Sequence, residues 1–144
     1  ESNQGYVNSN VGIELARYET TNYTESGSFD TDLARFRGTS DSIHTSRNTY
    51  TAADCATGYY SFAHEIGHLQ SARDIATDSS TSPYAYGHGY RYEPATGWRT
   101  IMAYNCTRSC PRLNYWSNPN ISYDIGPDNQ RVLVNTKATI AAFR

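Results

Sequence analysis

Lysine is almost missing from this chain: Lys137 is the only one, and the other basic residues are scattered arginines. With a net charge of −2 and a pI near 6.1, no basic stripe exists to follow a phosphate backbone, which excludes nucleic acid as a partner. No apolar run approaches the ~18 residues of a membrane span, so no membrane partner is expected either. Glu1 opens directly into polar sequence, without the ordered charged, apolar and cleavage regions of a targeting segment. If the protein is exported, the sequence is therefore expected to be a mature form or a fragment. Cysteine is scarce and odd in number. Cys106 and Cys110 lie close enough to close a small disulfide loop beside Pro111, which leaves Cys55 without a partner. A zinc site on that pair would need two further ligands, which only scattered histidines could supply. What fills the composition instead is Ser, Thr, Asn and 13 tyrosines, a hydroxyl-rich surface common in secreted proteins. At 144 residues the chain is expected to form a single domain acting as a monomer.

Against that bland background one string stands out, HEIGHLQSARD from His64 to Asp74. On a helix, positions 64 and 68 lie one turn apart on one face, so both imidazoles can reach one metal ion. Glu65 is rotated off that axis and can address a water rather than the metal. Asp74, six residues past His68, offers a third, oxygen ligand. Three protein ligands and an open position describe one catalytic zinc ion rather than a structural one. To use Asp74, however, the chain must leave the helix after Gln70 and double back. Serine at position 71 is then a burden, because a positive φ costs a residue with a β-carbon roughly 1 kcal/mol or more. His88, in YGHGY, is the rival third ligand, since histidine is the commoner metal donor.

Hydrophobic periodicity sketches the scaffold. Val11, Ile13 and Leu15 alternate with smaller or polar neighbours, the pattern of a half-buried strand. Ser28 to Phe36 reads as a short helix, and Ile43 to Tyr50 as a second helical or turn segment. The metal helix should start near Tyr59 or Tyr60, with Phe62, Ile66 and Leu69 as its buried stripe and both histidines nearly opposite. Asp78 to Thr100 reads as an irregular loop region rich in Ser, Thr, Pro, Gly and Tyr. Pro127 and Asp128 signal the start of a closing C-terminal helix carrying Val132, Thr136, Ile140 and Phe143.

Met102 is the only methionine and sits in TIMAY, Thr100 to Tyr104. A lone methionine is usually core filler. Downstream of a zinc motif, it can instead form a tight turn that floors the metal site. Tyr104, two residues on, could then stabilise an oxyanion with its hydroxyl.

Taken together, HEIGHLQSARD and TIMAY resemble the metzincin zinc endopeptidases, whose pattern is HExxHxxGxxH or D followed by a methionine turn. More narrowly, CATGYYSFAHEIGH, YGHGYR, WRTIMAYNC, YWSNP and DNQRVLVNT are similar to bacterial secreted peptidyl-Asp metalloendopeptidases. The resemblance implies an α+β, metzincin-like zincin domain in shortened form. A small mixed sheet would pack on the active-site helix, with an upper subdomain over about 1–71 and a lower one over about 72–144. It implies one catalytic zinc ion, protein or peptide substrates, and cleavage on the amino side of Asp. Within it His64 and His68 are ligands, Glu65 is the base and Met102 the turn methionine, while Asp74 as third ligand and Tyr104 as a catalytic donor are expected from their positions. Three departures stand out. Ser71 replaces the family's glycine. Asp74 stands where relatives more often have histidine, as in snapalysin-type proteases. The chain also runs from Thr51–Asp54 almost directly into Cys55, where relatives carry an extra stretch with a strand and a cysteine. They also begin with a strand and a longer helix before the segment at Asn3 to Tyr6. The sequence is therefore expected to be incomplete, and the absent cysteine to be the partner of Cys55.

An acidic side chain beside the scissile bond calls for an arginine, whose guanidinium can grip a carboxylate bidentately. Arg108, Arg112 and Arg99 are the candidates by position, each equally readable as a surface arginine. Two other functions compete with the Asp-directed peptidase. One is a snapalysin-like protease with apolar or aromatic preference. The other is a non-catalytic secreted binding module with tyrosines and Trp98 or Trp116 along a carbohydrate or peptide groove.

Overall fold

The computed structural model describes residues 1–16, 26–28, 31, 58–75, 83–120 and 126–142. Of the helix expected from Ser28 to Phe36 only Ser28 and Thr31 are among them, and the segment from Ile43 to Tyr50 and Cys55 lie outside. Helix α1, Ser2–Asn8, opens the chain and buries Gly5 and Tyr6. The strand expected from Val11 to Leu15 is not one. Its alternation is real, with Val11 buried and Ile13 and Leu15 half-buried between exposed neighbours. Yet it pairs with no strand among the described residues, and Gly12 bends it at φ +68°. The side chain of Asn3 takes the place of a neighbouring strand: its amide donates to the Leu15 carbonyl at 3.1 Å, and the Leu15 amide donates to Asn3 Oδ1 at 2.8 Å.

Helix α2, Ser61–Leu69, begins after Tyr60, which takes the left-handed conformation at φ +57°. Its buried face differs from the expected stripe. Ala63, Ile66, Gly67 and the following Gln70 are buried, Phe62 packs at the edge of the core, and Leu69 is 56% exposed. Gly67 is the cause. A β-carbon there would stand 2.6 Å from Met102 Sδ and from Trp116 Cζ3. Without one, the helix presses its glycine face onto that pair and turns Leu69 outward. The two histidines consequently flank the packed face about a third of a turn around, rather than lying opposite it.

The end of α2 explains how Asp74 returns. The Ala72 amide donates to the Gly67 carbonyl and the Ser71 amide to the His68 carbonyl, both at 2.9 Å. That paired closure needs a left-handed residue just past the helix, and Ser71 supplies it at φ +69°. The chain then enters strand β1, Arg73–Ile75, which pairs in parallel with β2, His88–Gly89. Strands β3, Arg91–Tyr92, and β4, Trp98–Arg99, pair antiparallel. The region expected to be irregular up to Thr100 thus holds short ladders. The expected single mixed sheet is two separate two-stranded ones among the described residues.

Helix α3, Asn129–Ala141, is capped by Asp128, whose carboxylate accepts from the Arg131 amide at 3.0 Å. Val132 and Leu133 are fully buried, while Thr136 donates to the Gln70 carbonyl at 3.2 Å and so ties α3 to the end of α2. Phe143 lies outside the described residues. Tyr6, Val11, Ala63, Ile66, Ala72, Ile101, Met102, Trp116 and Leu133 form one core drawn from both halves of the chain. Its centre is Trp116, wholly buried and stacked on Tyr6 with ring centroids 5.8 Å apart. Aromatic side chains buried to this degree each contribute about 1.5–3 kcal/mol, so Trp116 holds the core together and cannot line an open groove. Cys106 and Cys110 are joined as a disulfide with Cα atoms 5.5 Å apart. Among the described residues, no helix is long and apolar enough to cross a membrane.

Candidate metal centre

His64 and His68 project from one face of α2, and the turn at Ser71 brings Asp74 of β1 up beside them. His64 Nε2 lies 3.1 Å from His68 Nε2, and Asp74 Oδ1 lies 3.3 and 3.6 Å from the two. These three donor atoms fall within 4.8 Å of one another. Their orientation is fixed from behind. His64 Nδ1 faces the Ile101 carbonyl at 3.0 Å, and His68 Nδ1 faces the Ala72 carbonyl at 3.1 Å. A carbonyl can only accept, so each ring carries its proton on Nδ1 and turns a bare Nε2 lone pair inward.

Three lone-pair donors then converge on one point with nothing to donate among them. Asp74 Oδ1 is buried without a hydrogen-bond partner, and a buried carboxylate oxygen left in that state is costly. A cation between the three groups satisfies all of them at once. Two neutral imidazoles and one carboxylate are a donor set suited to zinc, with His–carbonyl contacts behind them as the usual orienting layer. Burial holds the His64 pKa below its ordinary value, and the neighbouring His68 and Arg112 push the same way. The Ile101 contact and Asp74 oppose them. The ring is therefore neutral near pH 7, as a metal ligand must be.

Beneath the histidines the chain makes a tight turn, with the Ala103 amide donating to the Thr100 carbonyl at 3.1 Å. Met102 at its centre is fully buried, and Ile101 supplies the carbonyl that orients His64. The Tyr104 hydroxyl donates to Asp74 Oδ2 at 2.6 Å. Glu65, one residue past His64, is exposed and makes no hydrogen bond or ion pair with the described residues.

The other sequence candidates sort themselves by position. His88 stands outside the cluster: it is buried, and its Nδ1 faces the Asp74 backbone carbonyl at 3.1 Å, so it braces the β1–β2 pair. Arg108 lines a separate cavity of about 160 Å³ with Glu93 and the disulfide, and none of the three metal donors borders it. Arg112 and Arg99 instead converge beside the site, both donating to the Ala103 carbonyl. Burial, and then the charge of Arg99, push the Arg112 pKa down to about 10, against the pull of Asp74 and Glu65. Sequence reasoning missed the orienting carbonyls of Ile101 and Ala72, which every residue type possesses and no motif can flag. It also missed Gly67, whose signal was a glycine in the middle of a helix.

Donor atoms oriented this firmly from behind, with an exposed acid one residue away, define a candidate metal-binding protein. More narrowly, the chain belongs to metallo-peptidase family M12, whose family model matches residues 38–117. It is 69% identical to the peptidyl-Asp metalloendopeptidase of Stenotrophomonas maltophilia strain K279a, with 100% of this chain and 46% of that protein covered. It is 65% identical to the enzyme of the same name from strain R551-3, with the same coverage. Against the one from Xanthomonas campestris pv. campestris it is 62% identical, with 100% of this chain and 45% of the relative covered. The chain thus spans about half the length of the curated relatives it matches. No solved structure matches it.

Proposed function

We propose that this chain is the catalytic domain of a secreted, monomeric zinc endopeptidase of the metzincin kind that cuts peptide bonds on the amino side of aspartate. The observation that carries this reading is the convergence of His64 Nε2, His68 Nε2 and Asp74 Oδ1 beside a free Glu65. The name that the relatives share, peptidyl-Asp metalloendopeptidase, supports the aspartate preference. Residues 1–144 would act as one catalytic unit, with an upper part over about 1–71 and a lower part over about 72–144.

His64, His68 and Asp74 would hold the zinc ion. The chemistry such an ion supplies when bound is Lewis acidity, which acidifies water and polarises a peptide carbonyl. Glu65, exposed and unengaged, is the base that takes a proton from water and returns it to the departing amine. The Ile101 and Ala72 carbonyls keep both imidazoles aimed during turnover, and Met102 supports them from below. Tyr104 acts beside them, holding Asp74 and presenting a phenol at the edge of the cleft.

Glu65→Gln tests the assignment, because it removes the base and leaves the ligands. The variant should retain one zinc per chain while peptide cleavage falls by roughly 10²–10⁴. Full activity in that variant, or wild-type activity that survives a chelator, sinks the reading. Mass spectrometry of fragments from a protein of known sequence should show new N-termini beginning mostly with Asp. N-termini that are mostly large and apolar would favour the snapalysin-like alternative.

A further inference from the structure

We infer that Arg99 and Arg112 together form the receptor for the carboxylate side chain that follows the scissile bond, which makes them the residues that select aspartate. This inference rests on the peptidase reading above and names the groups that would give it its specificity.

The pairing is built into the backbone. Arg99 and Arg112 form a parallel bridge in which the Arg99 amide donates to the Pro111 carbonyl at 3.0 Å and the Leu113 amide to the Arg99 carbonyl at 2.8 Å. Bridged residues in parallel strands project their side chains to the same side. Both guanidiniums then reach one acceptor, the Ala103 carbonyl, from Arg99 Nη1 at 2.9 Å and Arg112 Nη2 at 3.2 Å. Arg112 Nη1 also donates to the Tyr59 carbonyl at 2.9 Å, at the approach to the metal helix. Ala103 joins Met102, beneath the metal centre, to Tyr104, whose hydroxyl holds the ligand Asp74. The two cations therefore border the centre itself.

What they lack is an anion. Among the described residues neither arginine has a carboxylate at ion-pair distance, whereas Arg91 does, with Glu93 at 2.9 Å. Two like charges drawn together and half-buried repel one another. The shared carbonyl offsets this only in part; burial first, and then the charge of Arg99, hold the Arg112 pKa down to about 10. Each guanidinium has five N–H donors, and the carbonyls they meet leave several unused. A carboxylate set between them relieves the repulsion and accepts those hydrogen bonds. A neutral amide of the same shape does neither, so charge is the property being selected.

The experiment compares two peptides that differ only in Asp or Asn after the scissile bond, using the zinc-loaded wild type, Arg99→Gln and Arg112→Gln. Zinc content and thermal unfolding serve as checks on folding. Loss of the guanidinium should reduce kcat/KM for the Asp peptide by roughly thirtyfold or more and leave the Asn peptide within about threefold. An Asp-to-Asn ratio that is unchanged in both variants overturns the inference, because the arginines would then only brace the turn. A second measurement needs no variant. The product-like dipeptide Asp-Ala should inhibit the wild type at least about tenfold more strongly than Asn-Ala, and equal inhibition overturns the assignment. A zinc-loaded wild type that cleaves no protein sinks the peptidase reading and this one with it. A wild type that cleaves proteins without regard to acidic residues sinks the aspartate preference and the arginine pair, and leaves the zinc endopeptidase reading standing.

Discussion

Tyr104 and Asp74 are joined through the carboxylate oxygen that the histidines do not see: the phenol donates to Oδ2 at 2.6 Å, while Oδ1 faces His64 at 3.3 Å. A hydroxyl in that position fixes the rotation of the carboxylate. Tyr104→Phe is therefore expected to weaken zinc binding about tenfold, the scale on which orienting contacts to metal ligands act. Competition with a chromogenic chelator measures it. Unchanged zinc affinity with slower turnover would instead place the phenol on the substrate.

Gly67 sets two magnitudes against each other. Alanine is the better helix former by about 1 kcal/mol. Its β-carbon, however, would stand 2.6 Å from Met102 Sδ and Trp116 Cζ3, both on fully buried side chains. Overpacking of that kind typically costs 1–3 kcal/mol, so repulsion outweighs propensity. Gly67→Ala should lower the urea midpoint, and a raised midpoint would show that the core beneath α2 yields freely.

Ser71 runs the other way. It holds φ +69° at the end of α2, and its hydroxyl makes no hydrogen bond with the described residues. Ser71→Gly relieves a left-handed residue of its β-carbon and should stabilise the protein by up to about 1 kcal/mol, less some added freedom of the unfolded chain. A thermal midpoint several degrees higher is the expected sign; a lower one would mean the side chain contributes something the geometry does not reveal.

Tyr6 carries a pH signature. Burial raises its pKa from 10.0 to about 12, and the hydrogen bond from Gln70 only partly opposes it. The folded form thus keeps a proton that the unfolded chain releases first. The associated stability is complete below pH 10 and lost as pH rises through 12, amounting to about 2–3 kcal/mol. Tyr6→Phe leaves the buried Gln70 amide without its acceptor at 2.7 Å, so the variant should be less stable by about 1–3 kcal/mol at pH 8. That gap should close between pH 10 and 12 in urea titrations. A gap independent of pH would contradict the assignment.

The candidate histidine pair was legible because its geometry is local. A spacing of four on a helix brings His64 and His68 together whatever the rest of the chain does, and the need for a left-handed residue at Ser71 followed from the return to Asp74. The start of α2, the capping of α3 by Asp128 and the Cys106–Cys110 pair were equally readable from short stretches. The expected strand at Val11 failed for a physical reason. Alternation reports which side chains are buried, not what satisfies the backbone, and there the Asn3 amide did so. Leu69 misled for a related reason, since periodicity cannot weigh a missing β-carbon at Gly67 against a large side chain two residues on.

The sequence by itself supplied the candidate histidine pair, the glutamate beside it and the lone methionine of TIMAY, because those depend on residue type and helical pitch. Only the tertiary structure chose Asp74 over His88, by turning the first toward the imidazoles and the second toward a backbone carbonyl. It alone brought Arg99 to Arg112, thirteen positions apart, through a backbone bridge that no periodicity encodes. Contacts made by carbonyl groups and by the absence of a side chain leave no mark in a string of residues. They exist only once the chain has folded onto itself.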